Sequence, residues 1–249
     1  METKLVLITG GSRGIGAACA ELAARQGYRV CINYVQDKAA ADRVAQAIEN
    51  AGGSAHAFQA DVSVEADVLR MFDQIDALYG RLDALVNNAG TLQRQMRVDQ
   101  MDAARLNRIL ATNVTGSFLC AREAVRRMST AQGGRGGAIV NVSSRAAVLG
   151  SPGEYVDYAA SKAAVDALTV GLSKEVAGEG IRVNGVRPGL IHTDIHASGG
   201  EPDRVARLAS GVPMGRGGQP MEVAQAIMWL LGDESSFVTG SFVDVAGGR

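Results

Sequence analysis

Tyr158 and Lys162 stand four residues apart in the run Tyr158-Ala159-Ala160-Ser161-Lys162. On a helix, residues i and i+4 share a face, so this phenol and this ammonium would lie side by side. A free phenol titrates near ~10, too high for easy proton transfer at neutral pH. A neighbouring cation favours the phenolate and lowers that value, which makes the pair a usable proton donor or acceptor. Ser144 closes the run Asn141-Val142-Ser143-Ser144 upstream. A strand end and the helix after it can bring both hydroxyls to one cleft, where the serine holds a substrate oxygen. Hydrolase chemistry at this serine is disfavoured. The histidines are His56, His192 and His196, and no Gly-x-Ser-x-Gly elbow occurs.

The second chemical signature is Thr9-Gly10-Gly11-Ser12-Arg13-Gly14-Ile15-Gly16, which follows the apolar run Leu5-Val6-Leu7-Ile8. It precedes the alanine-rich stretch 17–25, a helix by propensity. A glycine-rich turn from strand to helix lets backbone N–H groups come close to a pyrophosphate, and the helix N-terminus favours its charge. The spacing Gly-x-x-x-Gly-x-Gly differs from the commoner Gly-x-Gly-x-x-Gly, and no Gly-Lys-Ser/Thr follows to make a P-loop.

The elements that must position these groups alternate along the chain. Apolar runs at 5–8, 30–34, 55–59, 84–87, 138–142, 182–186 and 242–245 read as strands. Helical patterns at 17–25, 38–50, 65–78, 101–128, 159–176 and 222–231 separate them. This order predicts an α/β fold with a parallel sheet, right-handed crossovers and helices on both faces. We expect a single domain over 1–249. Its longest irregular stretch, 189–218, follows a strand and is expected to be a flexible substrate loop at the carboxyl edge of the sheet.

Bulk properties narrow the class. Lys and Arg number 25, Asp and Glu 26, for a net charge of −1. Nothing there calls for a nucleic-acid or membrane partner, and no apolar run approaches the ~20 residues that span a bilayer. The chain enters its first strand within a few residues, which leaves no room for a signal peptide. Cys19, Cys31 and Cys120 lack metal-ligand spacing and read as reduced core residues, so a cytoplasmic protein with no metal site is expected.

With these residues in hand, the chain resembles the classical short-chain dehydrogenase/reductase family from end to end. The resemblance rests on four motifs in the family's order: Thr9-Gly10-x-x-x-Gly14-x-Gly16, Asn87-Asn88-Ala89-Gly90, Ser144 with Tyr158-x-x-x-Lys162, and Pro188-Gly189. It implies a Rossmann fold with a seven-stranded parallel sheet. The implied activity is hydride transfer between NAD(P)(H) and an alcohol or carbonyl compound. Tyr158 matches the family's acid/base and Ser144 the residue that polarises the substrate oxygen. Lys162 matches the lysine that lowers the tyrosine pKa and bonds the nicotinamide ribose. Asn113 matches a helix asparagine in a water relay to that lysine. The same resemblance places the dinucleotide against Gly10, Ser12, Arg13, Gly14, Ile15 and Gly16 of the turn. It adds Asn33 and Tyr34 at the end of the second strand, Asp61 and Val62 after the third, and Asn88, Ala89 and Gly90 after the fourth. Tyr158, Lys162, Pro188, Gly189, Ile191 and Thr193 complete the set.

Cofactor choice turns on the end of the second strand. An acid there bonds the adenosine 2′-hydroxyl of NAD; here Asn33-Tyr34 would not repel a 2′-phosphate. Arg13 offers a planar, permanently charged donor to that phosphate, while Asp37 reads as a helix N-cap. NADP is therefore expected, with NAD use possible. The substrate is a small alcohol or carbonyl compound, with sugars, polyols, polar ketones and 3-oxoacyl thioesters all compatible. Arg145, Ala146, Glu154, Tyr155, Leu190 and His196 are expected to line its pocket, while Arg94 and Arg97 read as solvated loop charges. The family's habit of pairing the helices 101–128 and 159–176 implies a homotetramer. The alternative is a regulatory dinucleotide-binding protein without turnover.

Overall fold

The structure, a computed structural model, describes residues 3–249. Seven parallel strands form one sheet in the order β3-β2-β1-β4-β5-β6-β7. They are β1 Leu5–Ile8, β2 Arg29–Tyr34, β3 Ser54–Gln59, β4 Ala84–Asn87, β5 Gly137–Val142, β6 Ile181–Pro188 and β7 Phe242–Val245. The helices are α1 Gly14–Arg25, α2 Lys38–Asn50, α3 Glu65–Tyr79, α4 Ala103–Leu110, α5 Gly116–Met128, α6 Ala146–Leu149, α7 Val156–Val176, α8 Ile195–Ser198, α9 Arg204–Leu208 and α10 Pro220–Leu231.

Alternation along each strand sends side chains to opposite faces. Val6 and Ile8 of β1 pack with α1, α2 and α10, through residues such as Ala20, Val44 and Ile227. Leu5 and Leu7 pack on the other face with Met71 and Phe72 of α3 and Cys120 of α5. Strand order reverses between β1 and β4, and the carboxyl ends of these strands open the crevice where α/β sheets bind ligands.

Three departures from the sequence expectation matter for the site. Helix α1 begins at Gly14, not at residue 17, so the glycines form its first turn. The single helix expected over 101–128 is interrupted by a π-helical turn at Ala111–Thr115, which carries Asn113. The stretch 189–218 is irregular over most of its length but partly structured. It holds α8, α9 and a 3₁₀ turn at Ala209–Gly211, closed by a bridge between Ile191 and Gly218. A small apolar cluster of Leu190, Val205 and Val212 gives that segment its own packing, which its glycines concealed.

Candidate active site

The glycine-rich turn is braced from both neighbouring strands. Asn88 Nδ2 donates to Thr9 O and Gly10 O at 2.9 and 3.0 Å. Thr9 Oγ1 accepts from the N–H groups of Asn88 and Ala89, each at 3.0 Å. Gly10 has φ +61°, and a Cβ there would meet Ala89 Cα at 3.0 Å. A Cβ on Gly16 would lie 2.3 Å from Gly10 O, so the helix can approach the turn only as glycine. No acidic side chain occupies the first turn of α1. Its free N–H groups and macrodipole suit a pyrophosphate.

A cavity of about 830 Å³ runs from this turn across the carboxyl edge of the sheet, at the upper end of the usual ~300–1,000 Å³ for small-molecule sites. Gly10, Ser12, Arg13, Gly14 and Ile15 line it at one end, with Tyr34, Asp61 and Val62 beside them. Asn88, Ala89, Gly90, Pro188, Gly189, Ile191 and Thr193 line its middle, and Ser144, Tyr158 and Lys162 its floor. Asp37 also lines it, while capping α2 through Ala40 N at 2.8 Å. Asp61 Oδ1 accepts from Ser63 N and Ser63 Oγ at 2.9 and 2.7 Å, shaping the turn into α3. The residues present therefore fit a dinucleotide.

Asn33 is placed differently from the sequence expectation. Its side chain is buried rather than turned to the cavity. Oδ1 accepts from Gly10 N at 3.2 Å, and Nδ2 donates to Ala60 O at 2.9 Å. It pins the glycine-rich turn to β2 and β3. A carboxylate there would face the Ala60 and Phe58 carbonyls, not a nucleotide phosphate. Gly16 and Asn113 also stay behind the cavity wall.

Ser144 follows β5, and Tyr158 lies in the first turn of α7; both side chains line the same cavity. Ser144 Oγ also accepts from Ala146 N at 3.1 Å. Ser143 faces the other way and donates to Lys162 O at 3.1 Å, a strand-end role. Lys162 Nζ donates to Val142 O at 2.8 Å and stands 5.7 Å from the centroid of the Tyr158 ring. A methyl on Gly90 would come within 3.4 Å of Lys162 Nζ and 3.5 Å of Asn113 Oδ1, so the amide and the ammonium flank Gly90. Asn113 is fully buried. It accepts from Thr91 N at 2.7 Å and donates to Ser161 Oγ at 3.0 Å.

The electrostatics also differ from the sequence expectation of a phenol pulled down by Lys162. Burial pushes the Tyr158 phenol up from its ordinary value, and the nearby Ser144 hydroxyl opposes that. Burial pushes Lys162 down to about 8, with Asp166 opposing. Desolvation disfavours the charged form of each group, so it moves the acid up and the base down. Between pH 8 and 10.5 the unfolded lysine holds a proton that the folded one has lost, so stability from this group rises with pH across that window. The burial cost is full below pH 8, about 3 kcal/mol at ~1.4 kcal/mol per unit. Lys162→Met removes it. The stability difference between Lys162→Met and the unsubstituted protein, measured by urea unfolding, should therefore shift toward the unsubstituted protein between pH 8 and 10.5.

Beyond the hydroxyls, Leu92, Leu149, Pro152, Leu190 and Ile195 supply apolar wall, and Glu154, His196 and Arg204 supply polar groups. Arg145 and Ala146 line the cavity as expected. Tyr155 stands behind it, its hydroxyl donating to Gly199 O at 3.2 Å. His196 Nε2 lies 2.9 Å from Ile191 O, and a carbonyl can only accept, so this nitrogen carries the proton. Burial pushes His196 down from its ordinary value. Arg204 Nη2 donates to Glu154 Oε2 at 2.5 Å, fastening α9 to the approach to α7. The sequence carried no signal for that contact, which spans fifty residues. Arg94 and Arg97 stay outside the cavity, Arg97 pairing with Asp99 in solvent. Among the described residues no group of three or more His, Cys, Asp or Glu is arranged to hold a metal.

Comparison with known proteins agrees with this geometry. Residues 10–249 match the family described as Enoyl-(Acyl carrier protein) reductase. The chain is 62% identical over 245 residues to the Uncharacterized oxidoreductase YgfF of Escherichia coli K12, covering 98% of this chain and 99% of that one. It is 39% identical to 3beta-hydroxysteroid dehydrogenase 1 of Eggerthella lenta, covering 100% of this chain and 94% of the relative. The crystal structure of a short-chain type dehydrogenase/reductase from Mycobacterium marinum superposes with a TM-score of 0.92 at 36% identity, covering 98% of this chain and 94% of that one. A parallel seven-stranded sheet, a glycine-built helix N-terminus and the Ser144–Tyr158–Lys162 floor thus converge with sequence similarity over the whole chain: this protein is an oxidoreductase of the short-chain dehydrogenase/reductase family.

Proposed function

We propose that the protein interconverts a carbonyl compound and its alcohol with NADP(H), Tyr158 acting as the acid/base. The observation that carries this reading is the lining of one cavity by Arg13 and the glycine-rich turn at one end and Ser144, Tyr158 and Lys162 at the other. A bound nicotinamide supplies or accepts the hydride. Ser144 holds the substrate oxygen by hydrogen bonding. Tyr158, kept protonated by its burial, donates its proton to that oxygen in the reductive direction and recovers it in the oxidative one. Lys162 places an ammonium beside the phenol and stabilises the phenolate left behind. Asn113, across Gly90 from Lys162, is proposed to hold water in the relay that returns a proton. The mixed wall suits a carbonyl compound with both apolar and polar parts.

Arg13 supports NADP over NAD. It precedes α1 in extended conformation, its side chain is exposed at the cavity, and it makes no capping bond. The acid nearest the end of β2, Asp37, is engaged in capping α2. Arg13→Ala should weaken NADPH binding about ten- to a hundred-fold, the ~1.5–3 kcal/mol of a charge-assisted bond, and leave NADH nearly unchanged. Fluorescence titration with both cofactors checks this, and tighter NADH than NADPH binding by the unsubstituted protein would contradict the assignment.

We also propose a homotetramer. Leu106 and Leu110 of α4, Phe118 of α5 and Val170 of α7 remain exposed, as do Trp229 of α10 and Phe237. Apolar side chains this large on several helices suit burial between subunits. Light scattering at micromolar concentration should give four times the chain mass; a monomer would contradict it. No helix among the described residues is long and apolar enough to cross a membrane. Cys19, Cys31 and Cys120 are free and buried, which accords with a reducing cytoplasm.

A further inference from the structure

Arg105 of α4 and Asp157 of α7 form an ion pair whose side chains are 6% and 1% exposed. Arg105 Nε donates to Asp157 Oδ2 at 2.7 Å, and Nη2 reaches Oδ1 at 3.4 Å. Arg105 Nη1 donates to Arg94 O at 2.7 Å, in the connection after β4. Asp157 Oδ1 also accepts from the backbone N–H of Tyr158 at 2.9 Å. The residue preceding α7, Tyr155, provides no side-chain cap, so Asp157 satisfies one of the donors that the helix start leaves open.

Burying two charges is a poor way to add stability, because desolvation offsets most of their attraction. What such a pair can do is fix one geometry, since a planar guanidinium holds a carboxylate in two directions at once. Here the carboxylate that it fixes is bonded to the backbone of Tyr158 itself. We infer that Arg105 and Asp157 are positioning residues: they set the first turn of α7, and through it the place of the Tyr158 hydroxyl relative to Ser144. The inference rests on Tyr158 being the acid/base. It predicts that the pair acts on turnover and not on cofactor affinity, because neither residue lines the cavity.

Two double variants separate positioning from mere packing. Arg105→Met with Asp157→Leu removes both charges and the acceptor for the Tyr158 N–H. Arg105→Met with Asp157→Asn removes the charges but keeps that acceptor. Both avoid leaving an unpaired buried charge. In the Met/Leu variant kcat should fall about ten- to a hundred-fold, with KM and the NADPH Kd within about two-fold, the loss expected from misplacing a reacting group by ~1 Å. The Met/Asn variant should recover part of that kcat. Arg105→Lys, which retains the charge and loses the fork, should fold and lose about ten-fold in kcat with the same split. Folding is checked by circular dichroism and thermal unfolding, and Tyr158→Phe is assayed in parallel. If Tyr158→Phe is inactive while the folded Met/Leu and Lys variants keep the original kcat, the positioning role is overturned and the acid/base reading stands. If Met/Leu does not fold, a Lys variant with unchanged kcat overturns it equally. If Tyr158→Phe keeps its turnover, the acid/base reading falls, and the positioning role falls with it.

Discussion

Tyr158→Phe is expected to lower turnover by about 10²–10⁴-fold, the range for removing general acid–base catalysis, while NADPH still binds with nearly unchanged affinity. The substitution deletes one oxygen from a half-buried side chain and leaves the ring that packs beneath Lys162. The cavity keeps its shape, and the glycine-rich turn at its other end is untouched. The oxygen that leaves is the one proposed to give its proton to the substrate. Ser144 can still orient a substrate, but no proton reaches the developing alkoxide. Steady-state kinetics with a validated carbonyl substrate, and a separate NADPH titration, check the two halves. Near-normal turnover would show that the proton comes from elsewhere.

Gly16→Ala should abolish dinucleotide binding and destabilise the fold. Its added methyl would be forced to 2.3 Å from Gly10 O and 2.6 Å from Asn88 Nδ2. The first contact is with backbone and cannot be relieved by a rotamer change. Relief requires α1 to move away from the turn, which breaks the Asn88 bonds to Thr9 and Gly10 and withdraws the helix N-terminus from the phosphate site. Overpacking of this kind costs typically ~1–3 kcal/mol, occasionally more. Binding that depends on the displaced N–H groups should fall by a hundred-fold or more, since about 2.7 kcal/mol is a hundred-fold in affinity. Thermal unfolding and NADPH titration of the purified variant measure both effects. An alanine variant with unchanged Tm and Kd would mean that the turn is not the phosphate cradle.

How much of this was legible in the sequence depends on the range of each interaction. Strands such as Leu5–Ile8 and Ala84–Asn87 are continuous apolar runs buried on both faces, and local pattern suffices to find them. The pairing of Tyr158 with Lys162 follows from helical spacing, and Ser144 from its place at a strand end. Asn33 was misread because a strand-end amide can turn outward or inward. Its inward turn is decided by Gly10 N and Ala60 O, donor and acceptor on other elements. The π turn at Asn113 leaves only a weak mark: Thr112, Asn113, Val114, Thr115 and Gly116 are poor helix formers, which lowers helical propensity without specifying a π turn. The glycines of 189–218 suggested mobility, yet Gly199 sits where a Cβ would strike Leu92, a close approach rather than a hinge. Arg204–Glu154 and Arg105–Asp157 each join positions about fifty residues apart, and charges in a sequence do not announce their partners.

The direction of the Tyr158 and Lys162 shifts is a further lesson of burial. Spacing alone brings a cation to a phenol; the depth at which both lie decides which form each prefers. A protonated phenol suits the reductive direction, where it must give a proton to a carbonyl oxygen. The cavity wall is apolar at Leu92, Leu149 and Leu190 and polar at Glu154 and Arg204.

The most direct test is the oxidation of NADPH by the purified protein in the presence of a panel of carbonyl compounds: sugars, diketones, steroid ketones and 3-oxoacyl thioesters, with NADH in parallel. The account predicts carbonyl-dependent loss of the reduced cofactor, matched mole for mole by alcohol product and abolished by Tyr158→Phe. Saturable NADPH binding with no oxidation by any member of the panel would contradict it and favour a regulatory dinucleotide-binding protein.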